Sequence, residues 1–410
     1  MANKFLEKFD TFTLVVAVLI VSVGLVAIYS ATFSSEIDSD LFYKQLYFSF
    51  VGLAIMIGVS YLPPRYLSNI SYMIYIFSLI LLVLVLVFGK SISGSKSWFS
   101  IAGFGLQPSE FAKIATVLAL SKFLASEEKE RIINKPLDFL KACAIVLIPV
   151  ALIMKQPDLG TSIVFLSMLL PIFFWAGLSP FVLFTIISPI VISLSALFLG
   201  DYYFYAALLL VLIVLILFKR KVYLLIIVFL INVAAGISVE KLFSTLQPYQ
   251  QKRIVTVFDP TSDPLGSGYN VIQSKVAIGS GGLFGKGYLQ GTQTQLKFIP
   301  EQWTDFIFCM IGEEFGFIGA ALLVLLYIIL IIQFINNAYI SKNRFLGLSC
   351  IGIASIMMFH LVINVGMTVG IMPVIGIPLP LVSYGVSSLL SFMIMIGIGM
   401  STFRNRKIFT

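Results

Sequence analysis

A chain of 410 residues that is 59% hydrophobic and only 11% charged, with a mean hydropathy of +1.03, is expected to have the bilayer as its solvent, because water-soluble domains carry about 25% charged residues. The net charge of +8 resides largely in short basic loops between apolar runs, so it reports topology and argues against a nucleic-acid partner. Cys143, Cys309 and Cys350 fall inside apolar runs without metal-ligand spacing and His360 is the one histidine, which excludes a histidine-cluster hydrolase and favours Mg2+, Mn2+ or Ca2+ over zinc at any metal site. The chain also has no phosphate-binding glycine loop and no GxSxG elbow.

In chain order, apolar runs near 12–30, 45–61, 70–88, 107–125, 139–155, 160–177, 180–199, 202–218, 221–238, 305–334, 345–366 and 379–403 predict about twelve helical spans, because a hydrocarbon core about 30 Å thick takes roughly 20 residues. The first run follows Lys4 and Lys8 but exceeds a signal-peptide core, so it reads as a retained helix. Pro171, Pro180 and Pro189 leave 160–238 open to fewer spans. Simple alternation puts Lys4, Arg65, Lys129, Lys219, Lys342 and Arg404, with the basic residues beside them, on one side. Both termini are therefore expected in the cytoplasm. The opposite side receives links with Lys90, Lys96 and Lys155 and one long loop, 239–303, within a single integral membrane domain, 1–410.

That loop is too apolar for a solvated linker and is expected to lie on the membrane surface as short helical pieces broken by Gly279, Gly281, Gly282, Gly285 and Gly287. It carries two Asp-Pro steps, at Asp259 and Asp263, which are either turn formers or a rigid turn that aims carboxylates. Asp305, Glu313 and Glu314 sit at or just inside the start of a helix, where favouring the helix dipole is the plainer reading. Glu110 and Lys113 share one helix face, and Asp158 opens another helix. Charges at that depth are expected to pair and to face a water-filled cavity; a purely structural ion-pair network is the other reading. The Gly- and Pro-broken link 366–380 is expected to line a cavity or re-enter the membrane.

The segments Gln107-Pro-Ser-Glu110-Phe-Ala-Lys113, Lys155-Gln-Pro-Asp158-Leu-Gly-Thr, Asp263-Pro-Leu-Gly-Ser-Gly-Tyr269, Pro300-Glu-Gln-Trp-Thr-Asp305 and Pro378-Leu-Pro-Leu-Val-Ser-Tyr-Gly385 resemble the SEDS family of RodA, FtsW and SpoVE. The glycine-rich run 278–287 and Gly291-Thr-Gln-Thr-Gln-Leu296 are more similar to RodA. The resemblance implies an all-α polytopic bundle with a ten-helix core, here with an extra pair at 202–218 and 221–238. It implies a peptidoglycan glycosyltransferase that polymerises lipid II in cell elongation at the outer face of the bacterial cytoplasmic membrane. Implied partners are a class B penicillin-binding protein and other membrane proteins of the elongation machinery.

By resemblance, Asp263 is the catalytic carboxylate, and a general base suits attack of a sugar hydroxyl on an anomeric carbon. The pyrophosphate leaving group calls for cations, for which Lys113, Lys275, Lys286 and a divalent ion, Mg2+ or Mn2+, are candidates, with no organic cofactor. Glu110, Asp158, Tyr269, Gln273, Ser274 and Asp305 complete the expected substrate-binding set. Trp98 either stacks on a sugar or belongs to the interfacial aromatic belt. Trp303 and Val386 stand where the family usually has histidine and glycine, so neither of those residues is indispensable here. A lipid flippase and a non-catalytic activator of the penicillin-binding protein are the competing functions.

Overall fold

The computed structural model describes residues 9–33, 39–92, 95–101, 104–125, 135–246, 248–257, 266–300 and 302–406. The fold is an all-α bundle with one small sheet, and it divides into two compact units, one made of 1–176 with 256–410 and the other of 177–255.

The larger unit begins with α1 (Thr11–Phe33), started by Asp10, whose carboxylate accepts from Thr13 N (3.1 Å) and Thr13 Oγ1 (2.6 Å). Next come α2 (Ser39–Ser60) and α3 (Pro64–Phe88), the latter with proline in its first turn, where the missing N–H costs nothing. The antiparallel meander β1 (Lys90–Ile92), β2 (Ser95–Ile101) and β3 (Phe104–Leu106) follows. Sequence patterning gave no sign of this sheet, because its strands are short and carry no long period-2 signal. Then come α4 (Pro108–Ala125), α5 (Pro136–Met154), α6 (Leu159–Ser167) and α7 (Leu169–Trp175). The expected span 160–177 is thus broken at Met168, three residues before Pro171 removes a backbone donor.

The smaller unit holds α8 (Pro180–Phe198), α9 (Asp201–Leu217), α10 (Val222–Ser244) and α11 (Pro248–Val255). Ile192, Leu208, Val211, Leu215 and Val228 form its core, and Asn232 Nδ2 donates to Ser188 Oγ at 3.0 Å. Pro180 begins α8 and Pro189 lies inside it without ending it. Helix α10 runs six residues into the stretch expected to be loop.

The larger unit resumes with α12 (Ser267–Gly281), α13 (Thr292–Gln295), α14 (Ile307–Glu314), α15 (Gly316–Ile340), α16 (Arg344–Thr368) and α17 (Val386–Arg404). Three expectations are corrected here. Gly279 and Gly281 lie within α12, so the surface segment breaks only from Gly282 onward. The expected span 305–334 is two helices, parted at Phe315 and at Gly316, whose φ is +67°. Glu313 and Glu314 therefore close a short helix instead of opening a long one. The expected span 379–403 starts its helix only at Val386, because 369–385 stays irregular.

Among the described residues nine helices are long and apolar enough to cross a membrane: α1, α2, α3, α5, α8, α10, α15, α16 and α17. Two further apolar segments, Leu159–Trp175 and Asp201–Leu217, are shorter. Helix α4 has the length but carries Glu110, Lys113 and Lys122. Helices α16 and α17 are 78% buried, against 22–44% for α1, α2, α3, α5 and α15, so they form the centre of the larger unit, with α4 against both.

Close approach in that centre depends on glycine. A Cβ on Gly397 of α17 would lie 2.6 Å from Met56 O and 2.9 Å from Val59 Cβ of α2, whereas one on Gly58 would meet nothing within 4 Å. Gly397→Ala is expected to cost about 1–3 kcal/mol by overpacking. Gly58→Ala is expected to be neutral or to gain up to about 1 kcal/mol from helix propensity. Thermal melting of the two purified variants checks the pair, and equal or reversed effects would contradict this packing.

Candidate functional site

Residues Glu110 and Lys113 lie in the first two turns of α4, three apart and on one face. Lys113 Nζ meets Glu110 Oε1 at 2.8 Å, with the lysine side chain 1% exposed. The sequence suggested that the pair faces a water-filled cavity; instead both side chains are buried, 1% and 5% exposed. Ser391 Oγ of α17 donates to Glu110 Oε2 at 3.1 Å, His360 Nε2 of α16 lies 3.3 Å from Lys113 Nζ, and the Phe392 ring centroid is 5.3 Å from that ammonium. Two opposite charges, two polar partners and a ring face thus satisfy each other in the buried centre.

From this pair the site extends to the 369–385 link. His360 Nδ1 lies 2.9 Å from Pro378 O, and Asn364, one turn along α16, donates through Nδ2 to Ile377 O (2.8 Å) and to Asp305 O (2.9 Å). Ser383 Oγ donates to Thr304 O at 2.6 Å, Tyr384 N donates to Trp303 O at 2.8 Å, and Tyr327 of α15 donates to Pro380 O. Gly376, at φ +76°, lets the chain pass Asp305, since a Cβ there would stand 3.2 Å from Asp305 Oδ2. Asp305 stands immediately before the N-cap of α14, Phe306, at the N-terminal end of that helix.

On one flank, Gln107 N donates to Ser387 Oγ (3.1 Å), which donates to Gly105 O (3.2 Å), and the ring of half-buried Trp98 lies over Gly105. Gln107 Nε2 donates to Asp158 Oδ2 (3.3 Å). Asp158 is also the N-cap of α6, accepting from Thr161 N (3.0 Å) and Thr161 Oγ1 (2.8 Å). On the other flank, α12 docks at the end of α16, where Ser274 Oγ donates to Thr368 O at 2.7 Å and the exposed Lys275 crosses over Gly370. Tyr269 and Gln273, four apart on α12, are half-buried. Asp263 and Asp259 lie outside the described residues.

The end of α12 leads into a latch that the sequence did not reveal. Buried Glu313 accepts from Lys286 Nζ (2.8 Å), Thr292 Oγ1 (3.3 Å), Gln293 N (2.9 Å), Thr294 N (3.0 Å) and Thr294 Oγ1 (2.8 Å). Burial alone would raise its pKa, but Lys286 and the donors of Gln293 and Thr294 together hold it below the ordinary carboxylate value. Lys286 is thereby committed to Glu313. Glu314 accepts from Ser30 Oγ of α1 at 2.5 Å, tying the same segment to the bundle.

Among the described residues no three His, Cys, Asp or Glu side chains converge to hold a metal. The donors already on Glu110, Asp158 and Glu313 account for those carboxylates, so they do not fit an Mg2+ or Mn2+ site. Cys143, Cys309 and Cys350 are free thiols, and the last two are buried. Sequence reasoning missed His360 as a site residue, along with Asn364 and Ser391. The available signal was their polarity inside otherwise apolar helices.

The family model FTSW_RODA_SPOVE, described as "Cell cycle protein", matches residues 10–208 and 198–408. The chain is 34% identical over 409 residues to peptidoglycan glycosyltransferase RodA of Treponema pallidum, covering 92% of this chain and 94% of that one. It is 37% identical over 362 residues to peptidoglycan glycosyltransferase MrdB of Escherichia coli K12, covering 88% and 85%. Among solved structures, a chain from work on the structural coordination of polymerization and crosslinking by a peptidoglycan synthase complex superposes with a TM-score of 0.71 at 30% identity, covering 97% and 98%. The chain is a polytopic bacterial membrane protein and belongs to the FtsW/RodA/SpoVE family.

Because Lys113 is buried, Glu110→Ala leaves an ammonium without its counter-charge and is expected to cost about 3–5 kcal/mol. The combination of Glu110→Leu with Lys113→Met is expected to recover most of that stability. Thermal melting in detergent checks this, and a double variant as unstable as Glu110→Ala would show that the cost lies elsewhere.

Proposed function

We propose that this protein is a peptidoglycan glycosyltransferase that polymerises lipid II into glycan strands during cell elongation. The supporting observation is the docking of α12 onto the end of α16, through Ser274 and Thr368. That helix begins four residues after Asp263, carries Tyr269, Gln273, Ser274 and Lys275, and sets Lys275 over Gly370 at the start of the link that passes Asp305. Candidate substrate-binding residues distant in sequence thus meet at one end of the bundle, the end that the basic-loop rule assigns to the outside.

In the proposed reaction a sugar hydroxyl attacks an anomeric carbon, Asp263 takes its proton or orients it, and the lipid pyrophosphate departs. Lys275, exposed beside the link, is the described cation best placed to meet the developing phosphate charge. Lys113 is enclosed and Lys286 is held by Glu313, so both act by fixing the site. Trp98, on the sheet at the same end, offers a face for sugar stacking. An Mg2+ or Mn2+ ion would come with the pyrophosphate, whose oxygens are its natural ligands.

The working assembly in this reading pairs the chain with a class B penicillin-binding protein, and with it other elongation-machinery proteins, so that each strand is crosslinked as it is made. The relative solved as a peptidoglycan synthase complex supports that partnership.

Polymerisation of purified lipid II by the complex tests the reading, comparing the native chain with Asp263→Asn and Asp263→Ala at equal partner binding. Both variants are expected to lose about 100-fold or more of the rate, the scale of a general base. Undiminished glycan would remove Asp263 from the mechanism. No glycan from the native complex would favour lipid transport or scaffolding.

A further inference from the structure

The single histidine of the chain lies between the buried ion pair and the link over it. Its Nε2 is 3.3 Å from Lys113 Nζ, its Nδ1 is 2.9 Å from Pro378 O, and its ring meets Phe392 edge-on with centroids 5.1 Å apart. An ammonium can only donate and a carbonyl can only accept. The arrangement therefore requires one tautomer, a neutral imidazole with its proton on Nδ1, accepting from Lys113 and donating to Pro378. One turn later, Asn364 binds the adjacent carbonyl, Ile377 O, and also Asp305 O. Among the described residues the charged groups facing His360 are Lys113 and, through it, Glu110, and the ring of Phe392 and the carbonyl of Pro378 also contact it.

We propose that His360 is a positioning residue of the transferase, a neutral acceptor and donor that registers the 377–380 link, and with it Asp305, against the Glu110–Lys113 pair. It touches no substrate. Its contribution is to hold the link in one place, and a misplacement of about 1 Å at such a site can cost about 100-fold in rate. A glutamine can accept through Oε1 and donate through Nε2 at nearly the same reach, whereas a phenylalanine keeps the ring and loses both bonds. The rate consequence rests on the glycosyltransferase reading; the tautomer does not.

Two measurements on the full chain test this. With one histidine, 15N-labelled His gives a single pair of ring signals, expected to show the neutral Nδ1–H form unchanged from about pH 5 to 8. An Nε2–H tautomer, or titration to imidazolium in that range, would overturn the proposal whether or not the protein polymerises lipid II. In the polymerisation assay with the partner, His360→Phe is expected to lose about 10- to 100-fold in kcat with little change in KM, while His360→Gln keeps at least about half of kcat. Equal rates for His360→Phe and the native chain, or equal losses in both variants, would sink it. A native chain with the expected tautomer but no glycan would count against the polymerase reading alone.

Discussion

The Glu110–Lys113 pair is the constraint on which the centre of this bundle depends. A lysine 1% exposed among apolar helices is tolerable only if every donor it presents is met, and the three helices α4, α16 and α17 are arranged to do that. Because the two charges are neighbours on one helix face, the pair forms as soon as α4 forms. What tertiary structure adds is closure: Ser391 on the carboxylate, and His360 and Phe392 on the ammonium. The same requirement explains why α4 carries charge at a depth where the surrounding helices carry almost none.

From that closed centre the order passes outward through backbone carbonyls. An irregular, apolar link such as 369–385 has no ladder of its own to satisfy its polar groups, and the helices supply partners instead. His360, Asn364, Ser383 and Tyr327 bond to it or hold it to 303–305, which fixes Asp305 as a by-product. The latch at Glu313 does the equivalent for 286–294, using a carboxylate to satisfy the first donors of one helical turn. A transferase site gains from such fixed surroundings, since a loose first contact dissipates the advantage of proximity.

Residues that look alike in sequence are put to different uses. Glu110, Asp158 and Glu313 are all carboxylates in polar motifs of an apolar chain, yet one neutralises a buried lysine, one caps α6 and braces Gln107, and one closes a latch. Lys113 and Lys286 are consumed in the same way, leaving Lys275 exposed. Their spacing gave the first pairing, because i and i+3 on a helix are adjacent wherever the helix lies. It could not give the others, since Lys286 and Glu313 are 27 positions apart.

The sequence by itself determined the membrane as solvent, the order of the helical segments, the family and the motif residues, all of which follow from local apolar length and local pattern. Only the tertiary structure decided that α4, α16 and α17 form the centre, that the last apolar run begins as an irregular link, and that the lone histidine sits between the ion pair and that link. The physical reason is that apolar length needs no knowledge of neighbours, whereas satisfaction of a buried polar group depends on which distant segment supplies the partner.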